Sequence, residues 1–191
     1  VAKFIQSYMF LGFTKVFIED YENAIKDFNK ALEMLETYKN DYRNKYTKEE
    51  AADAKNSIFY YRGISRSHLE LHNRAIEDFE NITHLECEIQ MEGLYFYIGL
   101  SYFNLERFEN ALNAFDELIK FSKTDESHFY NRGITKYNLE NYVEAVDDLD
   151  KAIELGLNNS DVFYYRGKSK YFIEDFQAAI IDMDKATDKD I

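Results

Sequence analysis

The stretch FYNRGITKYNLENYVEAVDDLDKAIE, Phe129 to Glu154, sets Gly133 inside an aromatic-rich run with helical spacing. A glycine in a helix interior costs roughly 1 kcal/mol relative to alanine. Something at Gly133 therefore requires the missing side chain. The second half of the stretch places Tyr142, Ala145, Val146, Leu149, Ala152 and Ile153 at steps of three and four, one buried helix face. Leu139, Glu140 and Asn141 interrupt that spacing, so the stretch reads as a helical hairpin with Gly133 and Ala145 where the two helices approach closely.

The same hairpin recurs along the chain. Gly63, Gly99, Gly133 and Gly167 are separated by 36, 34 and 34 residues, and Gly12 lies 51 before Gly63. Twelve residues after each glycine stands Ala24, Ala75, Ala111, Ala145 or Ala179. Four before it stands Tyr8, Phe59, Tyr95, Phe129 or Phe163, and seven after it always a glutamate, Glu19, Glu70, Glu106, Glu140 or Glu174. Nine after come Tyr21, His72, Phe108, Tyr142 and Phe176; sixteen after come Phe28, Phe79, Phe115, Leu149 and Met183. A fixed period of this length marks a repeat architecture, in which each hairpin buries its apolar faces against its neighbours.

This pattern resembles the tetratricopeptide repeat family, over residues 5–38, 56–89, 92–125, 126–159 and 160–191. The resemblance implies an all-α fold, a right-handed superhelix of stacked antiparallel helical hairpins, in a single array over 1–191 with a helical insertion at 39–55. The family usually has proline 24 residues after the glycine; those positions here hold Glu36, Cys87, Lys123, Leu157 and Ile191. Without proline the connections are expected to be less sharply turned, except where Gly156 can cap a helix C-terminus. In the insertion, Thr47 followed by Glu50 has the form of a capping box, so the next helix is expected to start near Lys48. The preceding helix is expected to run past Tyr38, the two projecting as an arm.

Composition agrees. Proline is absent and glycine numbers 7, which starves the chain of turn-formers, while 46% hydrophobic and 17% aromatic residues supply a core. The single Cys87 excludes an internal disulfide framework and fits a reducing, cytoplasmic compartment. A net charge of −13 argues against nucleic-acid binding, which needs a basic face. No apolar run is long enough to span a membrane, and YMFLGFTKVFIED, interrupted by Lys15, reads as a buried helix and not a signal peptide. The chain opens on Val1 rather than Met, which fits a processed form or a fragment.

One pair of columns carries charge. Arg62, Arg132 and Arg166 precede their glycines where the resembled family is usually apolar, and sixteen residues on stand Asp78, Asp148 and Asp182. The third repeat has Ile98 and Ala114 instead, so charge comes and goes together. These are expected to be ion pairs within each hairpin. Arg66, Lys136 and Lys170, three after the glycine, add a further basic residue to the same repeats.

Catalytic motifs are missing. His68 and His72, spaced i, i+4, lack the further ligands of a metal site, and His72 occupies an aromatic column, so packing is the expected role. There is no phosphate-binding glycine loop and no nucleophile setting. A binding protein with neither enzymatic activity nor cofactor or metal is expected.

The resemblance implies that the first helices line a concave groove. Its contact columns lie three and two before the glycine and one, four and five after it. Carried over, they include Tyr60, Tyr61 and Tyr97; then Tyr130, Asn131, Tyr137 and Asn138; then Tyr164 and Lys168. This surface is aromatic and nearly uncharged, the composition of an interaction site. Some family members grip C-terminal carboxylates with Lys, Arg and Asn; here Asn104, Asn131, Asn138 and Lys168 are too scattered for such a clamp. The expected role is a scaffold for a partner peptide or helix of unknown identity. The alternatives are self-association, as a homodimer, through apolar residues of the last repeat such as Phe172, Phe176 and Ile180, and service as a regulatory fragment of a larger protein.

Overall fold

The 34-residue period resolves into antiparallel pairs of helices in the computed structural model, which describes residues 2–37, 46–83 and 88–188. The chain divides into two compact units, Val1–Gln90 and Met91–Ile191. In the first, α1 (Ala2–Phe17) pairs with α2 (Tyr21–Thr37), and α3 (Lys48–His68) with α4 (His72–Glu80). Helix α3 also packs on α2 and α1, and a Lys55–Glu36 ion pair ties it to α2. In the second unit α5 (Glu88–Asn104), which begins just before the boundary, packs on α6 (Phe108–Phe121). There α7 (Glu126–Asn138) pairs with α8 (Tyr142–Glu154), and α9 (Ser160–Phe172) with α10 (Phe176–Asp188). Helix α6 packs on α7, α8 on α9, and α7 touches α9, so each hairpin stacks on the next. No strand occurs among the described residues.

The glycine column is where the paired helices touch. A Cβ built on Gly12, Gly63 or Gly99 would lie 2.4 Å from the ring of Phe28, Phe79 or Phe115, the residue sixteen positions on. At Gly133 the opposing residue is Leu149 and the nearest approach relaxes to 2.9 Å; at Gly167 it is 3.2 Å. The helix penalty of glycine is thus exchanged for insertion of a large apolar side chain. Phe28 and Phe115 are fully buried, and beside them the alanines twelve after the glycine let the backbones close. In the first unit the core is Ile5, Ala24, Phe28, Ala31, Leu35, Ala54 and Ile58. In the second, Phe129, Ile134, Leu149, Ala152, Val162 and Phe163 form one cluster and Ala111, Phe115 and Leu118 another.

The glutamate column closes the turns. Glu19, Glu70, Glu106, Glu140 and Glu174 have φ between 57° and 66°, the left-handed region that side chains other than glycine seldom enter. In each hairpin the amide of this residue bonds back three positions and the next amide five positions, as in Glu140 N to Tyr137 O at 3.0 Å and Asn141 N to Lys136 O at 2.9 Å. That is the Schellman closure, which satisfies carbonyls a helix end would leave bare. Gly156, at φ 119°, closes α8 in the same way.

Three of the helices that follow a connection without proline, α3, α7 and α9, begin at side-chain caps. Thr47 Oγ1 accepts from Glu50 N at 3.1 Å and Glu50 Oε2 accepts from Thr47 N at 2.7 Å, the reciprocal capping box, and α3 starts at Lys48 as expected. Asp125 and Asn159 cap α7 and α9 through their side chains. Helix α2 is described to Thr37; its extension past Tyr38 and the arm fall largely outside the described residues.

The charged columns meet. Arg132 Nε and Nη2 donate to Asp148 at 2.8 and 2.6 Å, and Arg166 and Arg62 do the same to Asp182 and Asp78. Arg66, Lys136 and Lys170 reach the same carboxylates at 2.7–2.8 Å. Repeat one, which has no arginine, substitutes Lys15 on Asp27. The third nitrogen of each guanidinium goes to the preceding hairpin: Arg62 to Asn29 at 2.5 Å, Arg132 to Asp116 at 2.8 Å, Arg166 to Asp150 at 2.6 Å. These acceptors all stand seventeen after a glycine, so the arginine ties hairpin to hairpin as well as helix to helix. Each guanidinium also lies 5.5–5.8 Å from the centroid of the aromatic four before its glycine, Phe59, Phe129 or Phe163. Burial weighs on both Asp78 and Asp182. It wins at Asp78, whose carboxyl is pushed up despite Arg62 and Arg66. At Asp182 burial is outweighed by the hydrogen bonds from Arg166 and Lys170, and the carboxyl is held below the usual range.

Candidate functional site

Helices α7 and α9 lie side by side, and the contact columns bring their exposed residues together. Tyr164, Lys168 and Tyr171 stand at i, i+4 and i+7 on α9, and Tyr137 faces them from α7. The Lys168 ammonium sits 5.0 Å from the Tyr137 ring centroid and 5.1 Å from that of Tyr164, within cation–π reach. The Tyr137 phenol foremost, and the Tyr164 phenol after it, hold that ammonium above its ordinary pKa. Around it Tyr137 packs on Tyr165 at 5.4 Å, and Tyr142 stacks on Phe172 at 4.4 Å. The result is a fixed positive charge on an aromatic floor.

The other expected contact residues divide. Tyr130 is half buried beside Tyr165, and burial above all, with the Asp161 charge, pushes its phenol up to about 12. Asn131 and Asn138 donate their amide nitrogens to the carbonyls of Ser127 and Ile134, one turn back in their own helix, at 2.8 and 2.7 Å. Tyr97 is half buried, edge-on to Phe96 at 5.4 Å. In the first unit, Tyr60 is buried in packing, while Tyr61 lies between it and Phe13, whose ring centroid is 4.7 Å away. The expected residues thus lie in two units, Tyr60 and Tyr61 in one and the remainder in the other.

Beside the aromatic floor, α9 and α10 form an open, mostly apolar groove of about 550 Å³, lined by Tyr171, Phe172, Phe176, Ile180 and Met183 with Lys168 and Asp184 among them. Phe172, Phe176 and Ile180 are 48, 49 and 56% exposed, as their place in the last repeat leads one to expect. Met183, sixteen after Gly167, also lines this groove. The first unit has a more polar groove of about 430 Å³ between α1 and α3, lined by Met9, Phe10, Phe13, Glu50 and Asp53 among others.

The two histidines weighed for a metal do not share a helix. His68 ends α3 and stacks on the Tyr21 ring at 4.5 Å, while His72 begins α4. The i, i+4 spacing therefore straddles a turn and gives no common face.

Tetratricopeptide repeats match the chain at residues 5–35 and again at 94–121. No curated protein matches it significantly in sequence. Solved structures match over nearly the whole chain. MamA superposes with a TM-score of 0.76 at 17% identity, covering 99% of this chain and 93% of MamA. The part of MamA from residue 41 to the end, from Desulfovibrio magneticus RS-1, gives 0.73 at 13% identity, covering 97% and 94%. YrrB, described as a TPR protein with an unusual peptide-binding site, gives 0.74 at 20% identity, covering 95% and 84%. Such identities speak for the fold alone: the chain has the fold of tetratricopeptide repeat proteins, and its residues 5–35 and 94–121 match the tetratricopeptide repeat itself.

Proposed function

We propose that the chain is a non-enzymatic protein-interaction scaffold that takes a partner peptide or helix on the face of its first helices. The single observation that carries this reading is the Lys168 ammonium set between the Tyr137 and Tyr164 rings on an aromatic surface. Tyrosines supply contact area at low entropy cost, and the Lys168 cation favours a partner that brings an acidic group or a carbonyl to the centre. Asn131 and Asn138 keep amide oxygens that suit an extended backbone, and Tyr97 and Tyr130 extend the floor. In the first unit Tyr61 offers a smaller contact, with Tyr60 behind it as support. The peptide-binding site named for YrrB supports a peptide as ligand. The single cysteine supports a reducing compartment, the cytoplasm, as the setting.

The test is selection from a displayed random-peptide library, followed by titration calorimetry on the selected peptide. Tyr137→Ala, Asn131→Ala and Lys168→Met are each expected to weaken binding by about 1–3 kcal/mol, the range of interface hot spots. Unchanged affinity in all three moves the site elsewhere. A second reading, self-association, is favoured by the apolar groove of α9 and α10, and sedimentation at several concentrations separates the two. A dimer lost in Phe176→Asp supports self-assembly; a monomer throughout removes it.

A further inference from the structure

Glu92 lies near the start of α5, and Asp125 and His128 at the start of α7, so the three come from neighbouring first helices of one unit. One donor atom from each lies within 4.8 Å of the other two. His128 is 4% exposed, with the Phe96 ring, one turn beyond Glu92, at 5.9 Å from its own. A buried imidazole ordinarily has both nitrogens satisfied. Here Nδ1 has no hydrogen-bond partner, and Nε2 is aimed at Glu92 Oε1 and Asp125 Oδ2 from 3.7 and 3.9 Å, too far for hydrogen bonds. Asp125 is already oriented. Its Oδ1 accepts from Ser127 N at 2.9 Å and from Ser127 Oγ at 2.6 Å, which leaves Oδ2 for the cluster.

We propose that Glu92, Asp125 and His128 bind a divalent first-row cation, best Zn²⁺, that ties α5 to α7. One imidazole nitrogen and two carboxylate oxygens are a donor set that zinc accepts. Ligands about 2.0–2.2 Å from a tetrahedral zinc stand about 3.4 Å apart, so the two gaps to Nε2, 3.7 and 3.9 Å, need to close by a few tenths of an ångström, and the gap between the carboxylates, within 4.8 Å, is closed by rotation of the Glu92 side chain at the rim. The bound cation takes Nε2 as a ligand and offsets the charge of the two carboxylates gathered beside it. Ser127 acts as the outer group that fixes a ligand. The Glu92 and Asp125 side chains are 33 and 44% exposed, which leaves a way in and room for water as a fourth ligand.

The experiment uses the full chain, stripped with chelator and titrated with Zn²⁺ alone, with Co²⁺ as an absorbing substitute. The expected result is saturable uptake of one ion per chain, a rise in Tm on binding, and a Co²⁺ spectrum of low-symmetry nitrogen and oxygen ligation. Glu92→Gln keeps the shape and lies at the rim, so it folds even if His128→Gln does not. It is expected to weaken binding at least ~10-fold and remove the Tm rise. Glu109→Gln, an exposed acid on α6, is expected to bind as the parent does. Weak uptake without a fixed stoichiometry, or Glu92→Gln binding as tightly as the parent, overturns the proposal and leaves His128 as a proton-binding group between two carboxylates.

Discussion

Replacing Gly99 by alanine tests the reason for the glycine column. The new Cβ falls 2.4, 2.7 and 2.8 Å from three atoms of the Phe115 ring, which is fully buried. Ordinary contact needs about 1 Å more, and a ring enclosed on all sides cannot give that much. Overpacking of this kind costs about 1–3 kcal/mol, and the overlap places Gly99→Ala at the upper end. Alanine returns about 1 kcal/mol of helix propensity. The net expectation is a loss of about 2 kcal/mol, from about 3 lost and about 1 regained. At Gly167 the nearest atoms are Asp182 Cβ and Met183 Cε at 3.2 Å, and a methionine tip moves easily. Gly167→Ala is therefore expected to be neutral or to stabilise by up to about 1 kcal/mol. Urea unfolding followed by far-UV circular dichroism reads both. Adding Phe115→Leu to Gly99→Ala places opposite the new methyl the leucine that faces Gly133, where the nearest approach relaxes to 2.9 Å, and the cycle is expected to show a favourable coupling of at least about 1 kcal/mol. If Gly99→Ala is as harmless as Gly167→Ala, or the cycle shows no coupling, close packing is not why the glycines are there.

Removing Arg132 leaves Asp148 with Lys136 alone and frees Asp116, so Arg132→Ala is expected to cost about 3 kcal/mol; a cycle with Asp148→Ala in the same urea assay should give coupling above 0.5 kcal/mol, and additivity would reject the pair. The Asp182 carboxyl is held low by Arg166 and Lys170 once burial is overcome, so its stabilisation is complete above the unfolded value of about 3.9 and lost as pH falls through the lower folded value. Asp182→Asn should flatten the acid limb of stability against pH, whereas Asp78, held high by burial, contributes a slope of opposite sign between its unfolded and folded values and its Asn variant should steepen that limb. At φ 62°, Glu140→Gly should be neutral or stabilise by up to about 1 kcal/mol while Glu140→Val costs roughly 1–3 kcal/mol, and the reverse order in thermal melts would remove the left-handed turn from the account.

The repeat was legible in the sequence because close helix packing and periodic burial act on every unit alike. Gly133 with Ala145 twelve on, Tyr142 to Ile153 on one face, the break at Leu139–Asn141 and the Thr47–Glu50 cap are all local consequences of residue type and spacing. The Arg–Asp pairs were legible for a related reason: Ile98 and Ala114 lose charge together where Arg132 and Asp148 carry it. The glutamate column was visible too, but its meaning was not. Glutamate has no preference for positive φ, and only the closed turn shows why the backbone takes it there.

Contacts between hairpins belong to the tertiary structure. Arg132 reaching Asp116 depends on how α6 settles against α7, and a period shared by all residues cannot say which columns meet across the stack. The gathering of Tyr137, Tyr164 and Lys168 has the same origin, since separate helices bring them to one point. Glu92, Asp125 and His128 follow no period at all. They occur once, on two helices, and their meeting is decided by the packing of α5 beside α7, a consequence of volume and geometry that linear spacing does not record.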